Sequence, residues 1–454
     1  AHNRRPATGI RRWNRPTIRA GERQLELARD LQGEGARVFC HRTNSCARDA
    51  AATADQRYRP AAKCRAAPAG GNHGFHQGPF RCRWRSHDRR VEVLASRAPA
   101  AADAPVVARL RAAGAVLFGR TNMVEFAFSG VGINPHYGTP RNGWQRHQAG
   151  GRVPGGSSSG AGVSVADGMC VAALGTDTGG SVRIPAAFNG LAGFKPTAFR
   201  VPVNGAVPLF VPARLVGPWR IQWIAVPVWT RFWRESATRR SHQSPCHPCA
   251  CSNPPVFCGA AWTLTLMQPA SKPSANCAPP VPLSKSAVAK RLTNFSARWR
   301  LPLGSLVGRP AETFDWHAAN VGVDGDGYDP RVWHRIQLGH DVTRADTSRA
   351  IAWLRLWKHR MHDALAGYDA IVTPTVACVP PLIQALVDDD ALFFARNQLI
   401  LRNTMWVNMM DGCALSLPCH RRGAAPVGLQ LVGRHAADHS LLALGMSVEV
   451  ALQQ

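Results

Sequence analysis

The sequence predicts an α/β protein, with a large mixed, mostly parallel twisted sheet covered by helices on both faces. Three observations carry that expectation. Short apolar runs emptying into glycine loops alternate with short amphipathic stretches across residues 101–200. The same alternation returns across residues 311–454, and the connections are short enough to favour helix crossovers.

Taken in order, Asp103 can cap a helix with Pro105 in its first turn and Val106, Val107 and Leu110 on its apolar face. Gly114 ends it, and "AVLFG" (115–119) reads as a short buried strand. "AGVSVADG" is a second short helix, and "MCVAALGTDTGG" a strand running into glycines. Further on, "DTSRAIAWLRLWKHRMHDALAGYDAIVTPT" reads as a capped helix leading into the strand "AIVTP". "APVGLQLVG" is another strand, and "DHSLLALGMSVEVALQ" a closing amphipathic helix.

Composition bounds the alternatives. At 454 residues with 45% apolar content, the chain is long enough for a large core. Its net charge of +27 would ordinarily suggest a nucleic-acid binder. The charge is segregated, however. Basic residues outnumber acidic ones 21 to 8 in residues 1–100 and 13 to 1 in residues 211–310, but number 12 against 15 in residues 311–454. Arg outnumbers Lys 49 to 6, as in the product of a GC-rich gene. The two basic blocks, residues 1–95 and 219–300, mix Arg, Pro, Trp, Cys and Ser without either structural period. They lack the aromatic–basic interleaving of RNA-binding sheets and any helix-turn-helix cue, so no nucleic-acid partner is expected. Thirteen cysteines include Cys246, Cys249, Cys251 and Cys258 around His247, a spacing compatible with metal. No second pair follows at zinc-finger distance, so accidental clustering is the better reading and no metal is expected. No apolar stretch is long enough for a transmembrane helix or a signal peptide, and a cytoplasmic protein with reduced cysteines is expected.

Chemistry concentrates in "VPGGSSSGAGVSVADGMCVAALGTDTGGSVRIPAAFNGLAGFKPT", Val153 to Thr197. It holds two serine-bearing glycine clusters, Gly155–Gly160 and Gly179-Gly180-Ser181. The first lacks the lysine of a phosphate-binding loop and the preceding strand of a dinucleotide fingerprint. By itself it reads as a flexible linker. The second follows a buried strand, where neighbouring backbone N–H groups can converge to stabilise an oxyanion. The nucleophile elbow G-x-S-x-G is absent and no histidine lies nearby, which leaves a serine–lysine arrangement as the chemical option.

These motifs resemble the amidase signature family. The resemblance runs upstream through "APVVARLRAAGAVLFGRTNMVEFAFSGVGINPHYGTPRN" and returns in "YDAIVTPT", "CALSLPC" and "APVGLQLVGR". It implies a single amidase-signature domain over residues 1–454, with a signature core at 101–200 and a C-terminal part at 311–454. It implies Ser181 as nucleophile and Ser157, on a cis peptide bond, as the serine that relays protons. Thr178, Gly179 and Gly180, with Ser181 itself, correspond to the backbone oxyanion hole. Asp177, Arg183 and Ser158 correspond to supporting positions. The implied substrate is a small-molecule amide, hydrolysed without metal or cofactor, and a homodimer is allowed.

One member of the implied Ser-Ser-Lys relay is missing: no general-base lysine is identifiable. Lys63 alone precedes Ser157, in a stretch without strand pattern. The expected lysine strand is occupied by "GFHQGPFRCRW", Gly74 to Trp84. Read one nucleotide later, the codons of Gln77 and Gly78 must encode Lys or Arg. The neighbouring codons then permit A-F-I-K-D-L-F-D-V-A-G, the family's strand. The basic blocks thus read as partly out-of-frame translation of an amidase gene. A chain lacking this lysine is expected to be a slow amidase or a protein that only binds ligand.

Overall fold

The computed structural model describes residues 73–77, 100–112, 115–170, 172–198, 200–202, 204–206, 220–225, 265–267 and 311–452. Lys63, the Cys246–Cys258 cluster and most of the two basic blocks lie outside them.

The strands are β1 (His73–Gln77), β2 (Val116–Thr121), β3 (Ala172–Asp177), β4 (Ala192–Lys195), β5 (Arg220–Ala225), β6 (Thr265–Met267), β7 (Ala370–Pro374), β8 (Cys413–Pro418) and β9 (Gly428–Gly433). The helices are α1 (Pro105–Ala112), α2 (Ser159–Ala166), α3 (Arg183–Phe188), α4 (Ala311–Asn320), α5 (Pro330–Gln337), α6 (Arg344–Ala364), α7 (Ile383–Asp388), α8 (Asp390–Leu401), α9 (Met405–Met409) and α10 (Asp438–Leu452). Among the described residues these strands form one sheet in the order β2-β1-β3-β5-β4-β8-β9-β7-β6.

The sheet is mixed, but the expectation that it is mostly parallel is corrected. Parallel pairing is confined to β1 with β2 and β1 with β3; every other neighbouring pair is antiparallel. The physical reason lies in which strands become neighbours. Helix crossovers make β2, β1 and β3 parallel. By contrast, β5 inserts between β3 and β4, and β8 returns directly on β9 through a short connection. Antiparallel neighbours need no crossover. β1, β5 and β6 all come from blocks that lack a strand pattern. They fill sheet positions whose backbone donors and acceptors would otherwise stay unpaired.

Helices cover both faces, and the two-residue alternation of β8 and β9 assigns them. Cys413, Leu415 and Leu417, with Leu431, pack against Leu441 and Leu442 of α10. Ala414 and Val432 face the other way, against Leu354, Trp357 and Met361 of α6 and Val407 of α9. Gln430 shares that second face, which matters for the site below. α6 starts with a capping box: Thr343 Oγ1 accepts from the Asp346 N–H (3.1 Å), and the Asp346 carboxylate accepts from the Thr343 N–H (3.2 Å).

Leu431 is fully buried where β9 meets α10. Leu431→Ala leaves a cavity that the rigid sheet cannot close, and is expected to cost about 2–5 kcal/mol in urea unfolding without shifting the strand register.

Candidate active site

β3 delivers the chain to Asp177, and α3 resumes at Arg183. The six-residue step between them is held by one carboxylate. Asp177 accepts from Arg183 Nε and Nη2 (2.9 Å each) and from the backbone N–H groups of Val182 (3.3 Å) and Arg183 (3.4 Å). Both residues are fully buried. Burial pushes the Asp177 carboxyl up, but the Arg183 charge and hydrogen bonds outweigh it and hold it below the usual carboxylate range. The guanidinium continues outward. Nη1 donates to Gln430 Oε1 (2.7 Å), and Nη2 to Asn408 Oδ1 (2.6 Å) and the Thr404 carbonyl (3.1 Å). Asn408 closes the circuit by donating to the Asp177 carbonyl (2.6 Å).

Inside this frame lie Thr178, Gly179, Gly180 and Ser181. Gly180 has φ +135°, and a Cβ there would come within 2.6 Å of Thr404 Cβ, so only glycine fits. Its carbonyl accepts from the Ile184 N–H (2.7 Å), while Thr404 Oγ1 donates to the Gly179 carbonyl (2.5 Å). Among the described residues, no acceptor engages the N–H groups of Gly179, Gly180 or Ser181. Ser181 retains 4% exposure.

The first glycine cluster is no free linker. The Gly156–Ser157 peptide bond is cis. The Gly156 N–H donates to the Gly130 carbonyl (2.7 Å), the Val124 N–H to the Ser157 carbonyl (3.0 Å), and the Gly160 N–H to the Asn122 carbonyl (2.9 Å). Ser158 joins both clusters. Its N–H donates to the Ser181 carbonyl (3.3 Å), and its Oγ exchanges hydrogen bonds with the Thr176 main chain (3.3 Å each). Ser157, Ser158 and Ser159 are fully buried. Ser157 Oγ, Ser159 Oγ and Thr121 Oγ1 have no hydrogen-bond partner among the described residues.

The structure therefore brings Ser157, Ser158, Asp177, Thr178, Gly179, Gly180, Ser181 and Arg183 into one contiguous assembly. Sequence reasoning missed Thr404, Asn408 and Gln430. Gln430, a lone amide in the apolar strand "GLQLVG", was the available signal. It also passed over Lys195, which is buried at the end of β4 and donates to the Pro196 (3.1 Å) and Gly412 (2.8 Å) carbonyls. Burial and the nearby Arg183 charge lower its ammonium to about 8, although Asp177 and Asp411 pull the other way. Its bonds run to backbone and not to Ser157. Among the described residues, no three His, Cys, Asp or Glu side chains gather to hold a metal, and no helix is long and apolar enough to cross a membrane.

A serine on a glycine-built loop at a strand end, beside backbone amides that no acceptor engages among the described residues, is an arrangement that can perform acyl transfer. Comparison with known proteins narrows that class. A family model described as Amidase matches residues 93–247 and 281–442. The chain is 32% identical over 365 residues to 2-amino-5-chloromuconic acid deaminase of Comamonas testosteroni, covering 77% of this chain and 75% of that protein. It is 31% identical over 385 residues to one subunit of the glutamyl-tRNA(Gln) amidotransferase of Symbiobacterium thermophilum, covering 76% of each. A solved amidase structure superposes with a TM-score of 0.69 at 25% identity, covering 95% of both chains. 6-Aminohexanoate cyclic dimer hydrolase shares the fold with a TM-score of 0.68 at 20% identity, covering 96% of this chain and 93% of that one. The chain belongs to the amidase family, and so to the hydrolases of carbon–nitrogen bonds other than peptide bonds.

Two measurements check the electrostatics. Arg183→Met strands a buried carboxylate and is expected to cost about 3–5 kcal/mol by urea unfolding, with the double change Asp177→Leu/Arg183→Met costing less than the two single losses combined. Lys195 releases its proton near pH 8 when folded and near 10.5 when unfolded. Between those values the unfolded chain binds the extra proton, so raising the pH favours the folded state. Relative to Lys195→Met, the parent should gain stability across that window in thermal melts.

Proposed function

We propose that the chain hydrolyses the C–N bond of a small-molecule carboxylic amide through an acyl-enzyme on Ser181. Ser181 Oγ attacks the carbonyl carbon while its proton passes to Ser157 Oγ, which hands its own proton to the amide nitrogen in the same relay. The N–H groups of Thr178, Gly179, Gly180 and Ser181 receive the oxyanion. The C–N bond breaks and the protonated nitrogen departs as amine or ammonia. Water then adds to the acyl carbonyl and its proton returns to Ser181 Oγ, giving the free acid and restoring the hydroxyl. Asp177 and Arg183 hold the loop, and Ser158 ties it to the Ser157 segment. No step draws on a metal or cofactor.

The single observation that carries this reading is the Ser158 N–H bond to the Ser181 carbonyl (3.3 Å). It fastens the two serine segments together beside amides that no acceptor engages among the described residues. The Comamonas relative, named for removing nitrogen from an amino-muconic acid, is consistent with a small-molecule substrate.

A second reading, a ligand-binding protein with little turnover, is favoured by Ser157 Oγ, which has no hydrogen-bond partner among the described residues. A relay without a base loses roughly 10²–10⁴ in rate. The site of that loss is testable. β1 ends at Gln77, in register with Thr121, whose hydroxyl, like that of Ser157, has no hydrogen-bond partner among the described residues. Position 77 is also where the one-nucleotide-shifted reading carries Lys or Arg. On a small aryl amide, slow release of the amine by the parent and its loss in Ser181→Ala are expected. Gln77→Lys should raise kcat roughly 10²–10⁴-fold. Turnover that survives Ser181→Ala would contradict the mechanism. Binding without turnover in both the parent and Gln77→Lys would favour the second reading.

A further inference from the structure

We infer that Thr404 is the positioning residue that aims the Gly180 N–H into the oxyanion hole. The inference rests on the amidase reading of the loop, but its evidence is conformational. Gly179 and Gly180 are consecutive glycines, so backbone sterics do not decide which way the peptide between them faces. Three carbonyls around it are held by other groups. Asn408 takes the Asp177 carbonyl, the Ile184 N–H takes the Gly180 carbonyl, and the Ser158 N–H takes the Ser181 carbonyl. Among the described residues the Gly179 carbonyl is held by one side chain, the hydroxyl of Thr404, 225 residues away in sequence (2.5 Å).

That bond has a directional consequence. The 179–180 peptide is trans. In a planar trans peptide the C=O and the following N–H point in opposite directions. Drawing the Gly179 oxygen towards Thr404 therefore turns the Gly180 N–H away from it. The threonine is itself anchored: its N–H donates to the Leu401 carbonyl (3.2 Å), and its own carbonyl accepts from Arg183 Nη2 (3.1 Å). The same guanidinium that grips Asp177 thus fixes the residue that orients the loop. The alternative acceptor for the hydroxyl, the Leu401 carbonyl, lies at 3.3 Å and competes weakly.

The test compares Thr404→Val, which keeps shape but loses the hydroxyl, with Thr404→Ser, which keeps the hydroxyl. On a small aryl amide, Thr404→Val is expected to lower kcat roughly 10²–10³-fold, as does loss of one oxyanion donor, while KM stays within about threefold. Thr404→Ser should stay within about threefold of the parent in both parameters. Crystal structures of the two variants provide a readout that does not need turnover. The Gly179 carbonyl should rotate away in Thr404→Val and keep its direction in Thr404→Ser. An unmoved carbonyl in Thr404→Val, or equal kcat losses in both variants, overturns the inference. A parent without turnover whose carbonyl rotates only in Thr404→Val would contradict the amidase reading and uphold the positioning role.

Discussion

The buried pair of Asp177 and Arg183 is the constraint on which the rest of the site depends. Taking two full charges out of water is costly, and their mutual attraction recovers that cost only when every remaining donor and acceptor finds a partner. Here the guanidinium reaches the Asp177 carboxylate, Gln430, Asn408 and the Thr404 carbonyl. A pair so fully satisfied contributes geometry more than net stability. It joins β3, α3, α9 and β9 at a single point, and leaves the loop from 178 to 182 little freedom to relax.

The serine cluster at 155–160 depends on a different physical device, the absence of side chains. The backbone around Ser157 and Ser158 runs against β3 so closely that a Cβ on Gly175 would lie 2.7 Å from Ser158 Oγ. Small residues let the two segments touch through main-chain hydrogen bonds, which position groups more tightly than long side chains do. The consequence is a set of fully buried serine hydroxyls. Ser158 spends its hydroxyl on the main chain of β3, whereas those of Ser157 and Ser159 have no partner among the described residues.

Much of this is legible in the sequence, and the boundary of legibility has physical causes. The helix at 344–364 announces itself through period and capping because it buries one face, and the strands at 370–374 and 428–433 through short apolar runs because both their faces are covered. Asp177, Arg183 and the two glycine–serine clusters lie within one short stretch, so their motif travels intact. Thr404, Asn408 and Gln430 are single polar residues more than 200 positions away, and nothing local marks them as partners of Arg183. Strand direction escapes sequence reasoning for a related reason. Which strand lies beside which is a property of the closed sheet, and β5 enters it from a block whose sequence shows no strand period. The relay lysine is the opposite case: its absence is a reading of the sequence alone, and among the described residues the buried Ser157 hydroxyl has no hydrogen-bond partner.

The claim at the centre of this account is that the carbonyl carbon of a substrate is captured by Ser181. Intact-protein mass spectrometry after exposure to an activated aryl ester tests it directly, because acylation by so reactive a donor needs the nucleophile and the oxyanion hole far more than a strong base. A single acyl adduct, mapped by peptide digestion to Ser181, is expected. An adduct on any other residue, or none at all from a folded protein, would contradict it.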